Sequence, residues 1–379
     1  MIYLDHNATT PLLTAVREKL IEVASATPLN PSSAHSGGER ATRELGKARC
    51  HVAKLIGAEP ERLVFTSGGT EGNNAVLWHG ARDGAIVTTA IEHSSVFAAG
   101  ERLEAEGYPV YWVQPNAEGR VTAEAVAETL DMAQKNGPVG LVSVQWVNSE
   151  TGVVQPIEEI TEICRARAVA VHTDAAQAVG KINVDVSRVP VDFLTLTGHK
   201  FHAPTGVGAV YSRNAIRPWF AGGDQEQGRR AGTENVLCIA ALGEAARLRF
   251  EHFDTVQQHL AALRERFEST LLEQFPWIRV NGSEPRVGNT SNLRFGGVDG
   301  EALLAQLDGA QVAVSQASAC ASRRPTPSHV LVAMGLSERE AFSAVRFSFG
   351  ETNTAEEVGE AINRLAPILD RLSALEALG

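Results

Sequence analysis

The chain has 379 residues and a formal net charge of −11, with 34 Lys and Arg against 45 Asp and Glu; its 44% apolar and 21% charged residues exclude a disordered or fibrous protein. The acidic balance argues against nucleic-acid partners, because phosphate contacts require clustered Lys and Arg. No apolar run approaches the ~18 residues of a membrane span, and the first ten residues predict no signal peptide. The four scattered cysteines fit neither a disulfide framework nor a zinc cluster. We therefore expect a cytoplasmic protein without membrane partners.

Short β-branched apolar runs alternate with helical segments as far as residue 212. Seven of these runs predict strands, at Leu63–Phe65, Ala85–Thr88, Val110–Val113, Leu141–Val147, Val169–His172, Phe193–Leu196 and Val207–Tyr211. Between two runs, Ala41, Leu45, Ala48, Val52 and Leu55 recur at the 3.6-residue period of an amphipathic helix. The alternation predicts an α/β domain with a mostly parallel seven-stranded sheet between helices. The last strands are closer together, which is consistent with an antiparallel edge.

After residue 234 the pattern changes to that of a smaller α+β domain. An apolar stripe from Val256 to Leu271 predicts a long helix capped by Asp254. Thr354-Ala355-Glu356-Glu357 is a capping-box pattern that begins the last helix. Short strand-like runs lie between these helices, at Ile278–Val280, Ser291–Phe295, Val312–Ser315 and Val345–Phe349. We predict a large domain of residues 14–253 and a small domain of residues 1–13 and 254–379.

A glycine-rich segment, Thr66–Gly72, follows the first predicted strand and precedes a helix. Paired glycines allow a tight turn, and free N–H groups at a helix N-terminus attract an anion. The helix dipole alone contributes only ~0.3–1 kcal/mol, so a phosphate site needs added donors such as the Thr70 hydroxyl. No Lys follows the glycines, which excludes a Walker motif. The alternative is a plain glycine-rich turn.

Two charged residues follow neighbouring strands, where ligands bind at the edge of an α/β sheet. Asp174 ends the strand that begins at Val169, and Lys200 follows Thr197-Gly198-His199. Pyridoxal phosphate requires such a pair, a lysine that binds its aldehyde carbon and an acid at its ring nitrogen. Taken separately, Asp174 could be a helix cap and Lys200 an ordinary loop lysine.

Cys320 lies among small polar residues and is followed by Arg323 and Arg324. Neighbouring arginines raise the thiolate fraction of a cysteine, whose reference pKa is ~8.5. The segment therefore predicts a loop whose cysteine is a candidate nucleophile. The alternative is an unreactive loop cysteine.

Nine short segments occur in one order between residues 3 and 350. They are Tyr3–Pro11, Thr66–Glu71, Glu92-His93, Val147–Gly152, Asp174–Gln177, Gly198–Lys200, Arg230–Thr233, Ser318–Cys320 and Ala344–Ser348. As an ordered set they resemble the cysteine desulfurases, a branch of the class V, fold type I pyridoxal-phosphate enzymes. The distance from Cys320 to Pro327-Ser328-His329 resembles that of the members with a longer, mobile catalytic loop.

The resemblance implies roles around the cofactor. Lys200 is similar to the lysine that binds pyridoxal 5'-phosphate, Asp174 to the partner of the ring nitrogen, and Gln177 to the donor to the phenolic oxygen. His93 resembles the residue that stacks on the ring and moves protons. Thr233 matches a phosphate contact that the second subunit of a homodimer supplies. The remaining phosphate contacts match Gly69, Thr70, Thr197 and His199.

The resemblance also implies the substrate site. Asn148 and Arg346 match the pair that binds the carboxylate of L-cysteine, and Asn148 also matches a cofactor contact. Cys320 matches the nucleophile that receives sulfur as a persulfide while alanine is released. The sulfur then passes to an acceptor protein, an iron–sulfur scaffold or a relay for tRNA or other thiolation. No intrinsic metal site is implied, although Cys320 is a candidate transient iron–sulfur ligand.

The sequence differs from the family pattern at two places, and three other functions are alternatives to a cysteine desulfurase. Gln316-Ala317 stands where a Ser-Gly pair is common, and Thr197 replaces a usual Ser. A selenocysteine lyase or an aminotransferase of the same fold is an alternative enzyme. A sulfur-relay or assembly scaffold is the non-enzymatic alternative, which the presence of Lys200, Asp174 and Cys320 disfavours.

Overall fold

The computed structural model describes residues 1–26, 30–316 and 326–376. The α-helices in these ranges are α1 (Thr14–Ala24), α2 (Ser36–Leu55), α3 (Gly69–Ala81), α4 (Ser94–Ala105), α5 (Ala123–Asn136), α6 (Ile157–Ala166), α7 (Val236–Glu251), α8 (Phe253–Gln274), α9 (Gly300–Gly309), α10 (His329–Ala333), α11 (Glu338–Phe342) and α12 (Ala355–Glu376). The strands are β1 (Ile2–Tyr3), β2 (Leu63–Thr66), β3 (Ala85–Thr89), β4 (Val110–Val113), β5 (Val139–Ser143), β6 (Ala170–Asp174), β7 (Phe193–Thr197), β8 (Gly208–Ser212), β9 (Ile278–Val280), β10 (Thr290–Phe295), β11 (Val312–Ala313), β12 (Ser315–Gln316) and β13 (Ala344–Ser348).

The large sheet has seven strands in the order β2-β8-β7-β6-β5-β3-β4. The pairings from β7 across to β4 are parallel, whereas β8 is antiparallel to both β7 and β2. Too few residues separate β7 from β8 for a helical crossover, so β8 returns antiparallel. The predicted α/β fold and its antiparallel edge are therefore confirmed. The strand expected at Leu141–Val147 ends earlier, at Ser143, and Val147 instead bridges Val154.

The smaller sheet is antiparallel, in the order β12-β13-β10-β9, and β1 pairs with β11 in a separate two-stranded sheet. The single strand predicted at Val312–Ser315 is wrong, because its residues divide between β11 and β12 in different sheets. The capping box of α12 is confirmed, since the Thr354 hydroxyl accepts from the Glu357 N–H and the Glu357 carboxylate accepts from the Thr354 N–H, both at 3.2 Å.

The predicted cap of α8 at Asp254 is wrong. His252 occupies the N-cap position without a side-chain hydrogen bond, and Asp254 lies in the first turn. Since α7 ends at Glu251, only His252 separates the two helices, and α8 begins before the chain reaches Asp254. An acidic side chain in the first turn still interacts favourably with the helix dipole.

The N-terminal segment connects the two parts of the molecule. Ile2 and Leu4 pack into an apolar core otherwise formed by residues between Val256 and Leu369, separate from the core around the large sheet. A few residues later, the Thr10 N–H donates to the His199 carbonyl oxygen at 2.9 Å, beside the end of β7. Residues 5–10 therefore cross between the two sheets. Within the described ranges, no helix combines the length and hydropathy needed to cross a bilayer.

Candidate active site

A cavity of about 510 Å³ lies at the edge of the large sheet where β6 and β7 end. Its wall also includes Asp5 and Asn7 from the N-terminal segment and the β13 strand of the small sheet. Most of the site residues expected from the sequence line this cavity, namely Gly69, Thr70, His93, Asp174, Gln177, Thr197, His199, Lys200 and Arg346. The fold therefore brings together residues separated by up to 277 positions, at the edge where α/β sheets bind ligands.

Two expected site residues of the described ranges, Asn148 and Thr233, do not line the cavity. Asn148 is buried behind the wall, where its side-chain oxygen accepts from the Glu150 and Thr151 N–H groups and its amide donates to the Ile91 carbonyl oxygen. Thr233 is exposed on the surface. Cys320 lies outside the described residues. The ligand contacts expected for these three residues stay predictions.

The turn before α3 forms a cradle suited to a phosphate. Gly68 has a φ of +149°, which an L side chain rarely adopts, and a Cβ there would lie 3.6 Å from the Thr197 hydroxyl. The N-terminus of α3 offers backbone N–H groups beside the Thr70 and Thr197 hydroxyls. Donors from a helix terminus and two hydroxyls fit the phosphate of pyridoxal phosphate.

Glu71, in the first turn of the same helix, would repel a phosphate if its charge were uncompensated. Burial alone would raise the pKa of this carboxyl, but hydrogen bonds from Arg230 and Ser67 lower it to about 2. The Arg230 guanidinium lies 2.9 Å from the carboxylate, and the Trp219 indole donates to it at 3.0 Å. Arg230 therefore neutralises the glutamate beside the cradle.

Asp174 ends β6 with its carboxylate buried in the cavity wall. One oxygen accepts from the Asn73 amide at 2.7 Å and the other from the Ala176 N–H at 2.9 Å. These two bonds fix the orientation of the carboxylate at the cavity, where it is placed to bind a protonated ring nitrogen. Sequence reasoning missed Asn73, whose only signal is its place one helical turn after Gly69.

Lys200 and Gln177 both donate hydrogen bonds to the Asn7 carbonyl oxygen in the N-terminal segment. The Lys200 Nζ donates to the carbonyl oxygens of Asn7 at 2.5 Å and Ala8 at 2.8 Å, and the Gln177 amide donates to Asn7 at 2.9 Å. The amine therefore lies in the same cavity as the phosphate cradle and Asp174. An amine, a carboxylate and an anion cradle are the groups that pyridoxal phosphate needs, so the described residues fit this cofactor.

His93 is at the N-cap of α4 and faces the cavity. Its Nδ1 lies 3.1 Å from the Ser95 backbone nitrogen and 2.8 Å from the Ser95 hydroxyl oxygen, which leaves Nε2 for a ligand. Burial lowers the pKa of this imidazole, although the Asp174 charge acts in the opposite direction. A neutral imidazole at physiological pH can accept a proton.

Arg346 supplies the cation of the cavity from β13. Its guanidinium donates to the Ser149 carbonyl oxygen at 3.0 Å and to the Asp5 carboxylate at 2.9 Å. Its buried Nε has no partner among the described residues. A guanidinium has five N–H groups, so Arg346, which lines the cavity, keeps terminal N–H donors for a carboxylate substrate.

Two buried carboxyls in the wall were not expected as site residues. Burial raises the pKa of Glu92 to about 8 and that of Glu150 to about 7. Glu150 accepts a hydrogen bond from the Ser328 hydroxyl, and the His329 ring donates to the Glu92 carbonyl oxygen at 3.0 Å. The segment that begins at residue 326 is thereby anchored at the cavity. Burial, which no local pattern revealed, is what distinguishes these two acids.

We expect Glu92→Gln to raise the free energy of unfolding, compared with the wild type, more at pH 9 than at pH 5. The pKa of Glu92 in the folded protein lies above its ordinary value of 4.5, so its neutral form stabilises the fold fully below pH 4.5, and this contribution is lost as the pH rises through 8. At 1.36 kcal/mol per pKa unit the loss is at most about 5 kcal/mol. Urea unfolding at pH 5, 7 and 9 measures it, with the exposed Glu101→Gln as control. An identical pH dependence for wild type and Glu92→Gln would contradict a neutral Glu92.

Comparison with known proteins agrees with this site. The family model for class-V aminotransferases matches residues 2–360. Cysteine desulfurases of Nostoc sp. and Klebsiella pneumoniae are each 40% identical, over 99% of this chain and 94% of theirs. The cysteine desulfurase NifS of Azotobacter vinelandii is 38% identical, over 98% of this chain and 93% of its own. A solved NifS-like protein superposes with a TM-score of 0.90 and 34% identity, over 98% of this chain and all of that one.

The fold and the cavity define a pyridoxal-phosphate enzyme of the aminotransferase type. Within that class-V family, the chain belongs to the cysteine desulfurases. The predictions of family, fold class, enzymatic nature and cofactor are thereby confirmed. The roles of individual residues stay predictions that the geometry supports.

Proposed function

We propose that this enzyme takes sulfur from L-cysteine, releases L-alanine and holds the sulfur as a persulfide on Cys320 before an acceptor protein receives it. The observation that carries the proposal is the placement of Lys200, Asp174 and Arg346 around one cavity beside a phosphate cradle. An amine, an acid and a cation in that arrangement provide for an amino-acid substrate and its cofactor together.

The chain's own residues would bind and orient the reactants. Arg346 binds the substrate carboxylate through its guanidinium, and Asp174 holds the proton on the ring nitrogen of the cofactor. Bound pyridoxal phosphate supplies an electron-withdrawing ring that stabilises negative charge on the substrate carbons. His93 accepts and returns protons at Nε2 in the neutral tautomer whose Nδ1–H donates to the Ser95 hydroxyl. Lys200 would hold the cofactor through its Nζ amine, which lies in the cavity.

The sulfur transfer balances without an external oxidant. The Cys320 thiolate attacks the sulfur of the bound cysteine, an S–S bond forms and the substrate's carbon–sulfur bond breaks. The electron pair of that bond stays with the substrate carbon, which takes up a proton to give alanine. The sum is L-cysteine plus a thiol giving L-alanine plus a persulfide. Arg323 and Arg324 follow Cys320 by three and four positions in the sequence, and cations at this spacing are expected to favour the thiolate.

The proposal includes a homodimer in the cytoplasm. Thr233 is exposed and outside the cavity of its own chain, which is consistent with a contact to the phosphate of a second subunit. The apolar side chains of Phe220 and Leu237, on either side of it in sequence, are also exposed. Cys50, Cys164 and Cys238 are free thiols, as in a reducing compartment. The acceptor we propose is an iron–sulfur scaffold or a thiolation relay.

Cys320→Ser tests the sulfur transfer. We expect this variant to bind the cofactor with wild-type absorbance but to release alanine from L-cysteine about 10³-fold more slowly, as loss of a nucleophile does. Mass spectrometry after exposure to L-cysteine should find one added sulfur on the Cys320 peptide of the wild type and none in the variant. Cys50→Ser, which removes an exposed cysteine of α2, is the matched control.

Wild-type turnover by Cys320→Ser with a reductant would show that another group receives the sulfur. Amino transfer to a keto acid, or turnover of selenocysteine with no turnover of cysteine, would favour the alternative enzymes instead.

A further inference from the structure

Lys181 is a buried amine behind the cavity to which the sequence assigned no role. It is 7% exposed, and the charged groups that act on it are the cations Lys200, Arg346 and Arg249. Burial and these like charges lower its pKa well below the ordinary value. An amine in such surroundings costs stability, so its hydrogen bonds point to a specific task.

Those hydrogen bonds go to two uncharged oxygens. The Lys181 Nζ donates to the side-chain oxygen of Asn7 at 2.7 Å and to the side-chain oxygen of Gln177. An amine bound to two acceptors donates to both, whether it is charged or neutral. Lys181 is therefore a fixed donor at this point of the wall.

A donor at this position decides which end of the Gln177 carboxamide faces the cavity. The two ends of a carboxamide have nearly the same shape, so hydrogen-bond partners set its orientation. Lys181 holds the oxygen end, and the opposite NH₂ group donates to the Asn7 carbonyl oxygen at 2.9 Å. An NH₂ group has two hydrogens, so one N–H of Gln177 is left for a ligand in the cavity.

Asn7 does not depend on Lys181 in the same way. Its side-chain oxygen also accepts from the Asn289 amide at 3.1 Å, and its own amide donates to the Thr290 hydroxyl at 2.9 Å. Among the described residues, Lys181 is the donor to the Gln177 side-chain oxygen. Loss of the lysine amine would therefore leave the Gln177 carboxamide with its bond to the Asn7 carbonyl oxygen alone among these contacts, while Asn7 keeps its other bonds.

We infer that Lys181 is a positioning residue that orients the Gln177 carboxamide, so that an N–H of Gln177 is presented to the phenolic oxygen of the cofactor. The inference rests on the proposed function, because it takes this cavity as the cofactor site. Without Lys181 the carboxamide can turn its oxygen toward the phenolic oxygen, where two acceptors repel.

The test is a pH titration of the visible absorbance of the holoenzyme without substrate. An N–H donor stabilises the ionised phenolic oxygen, so Lys181→Met should raise the apparent pKa of the chromophore by about one unit, the size of one hydrogen bond to a charged group. Lys181→Gln, which keeps an N–H donor at a shorter reach, should restore part of the wild-type value. Lys47→Met, which removes an exposed lysine of α2, is the matched control.

A double-mutant cycle separates the proposed route from a direct effect of charge. Gln177→Met should shift the chromophore pKa by itself, and adding Lys181→Met should then shift it no further. An unchanged pKa in Lys181→Met, or an equal shift with and without Gln177, would overturn the inference. Failure of the wild type to bind pyridoxal phosphate would overturn the proposed function and, with it, this inference.

Discussion

We expect Lys200→Ala to lose turnover of L-cysteine by at least about 10³-fold, equivalent to about 4 kcal/mol of transition-state stabilisation. Lys200 is the one lysine among the described residues that line the cavity, and its Nζ is held by the carbonyl oxygens of Asn7 and Ala8. An alanine removes the amine, while the phosphate cradle and Asp174 stay in place. The variant should therefore still bind the cofactor but without a covalent bond to the chain.

Reduction with borohydride followed by peptide mass spectrometry distinguishes the two modes of binding. The wild type should retain the mass of the reduced cofactor on the peptide that contains Lys200, and the variant should retain none. Lys47→Ala is a control for the loss of an exposed lysine. A cofactor still attached to the Lys200→Ala chain after reduction would show that another lysine performs this role, for example Lys181, which bonds to the cavity residue Gln177.

We expect Asp174→Asn to lower kcat by about 10²–10³-fold, the range found when one electrostatic contact to a transition state is removed. Asparagine has the same shape but carries no charge, so it cannot hold the proton on the ring nitrogen. Its single oxygen also cannot accept from both Asn73 and Ala176, which now bond to different carboxylate oxygens of Asp174. The KM for cysteine should change much less, because Arg346 is intact.

Steady-state kinetics of alanine release, together with the absorbance of the bound cofactor, measures this effect. Asp131→Asn, at an exposed ion pair with Arg167, is the control and should be as active as the wild type. A kcat within about threefold of the wild type for Asp174→Asn, well below the range for an electrostatic contact, would contradict the assigned partner of the ring nitrogen.

The structure also explains where sequence reasoning placed elements wrongly. The cap assigned to Asp254 failed because α7 extends to Glu251, which leaves only His252 before α8 begins at Phe253. The strand expected at Val312–Ser315 failed because its two halves pair with partners far apart in sequence, β1 and β13. In the second case a short local signal competed with contacts made elsewhere in the chain.

The local sequence pattern by itself predicted the architecture of the fold and the main chemical groups of the site. The hydrophobic periods of strands and helices specify an α/β sheet, and strand ends place Asp174 and Lys200 at one edge, because these features depend on near neighbours. Tertiary structure alone decided that Asn7 meets Lys181, Gln177 and Thr290, and that Glu92 and Glu150 are buried acids. Hydrogen bonds across 170 to 283 residues and removal from water arise only when distant segments pack, so no local pattern encodes them.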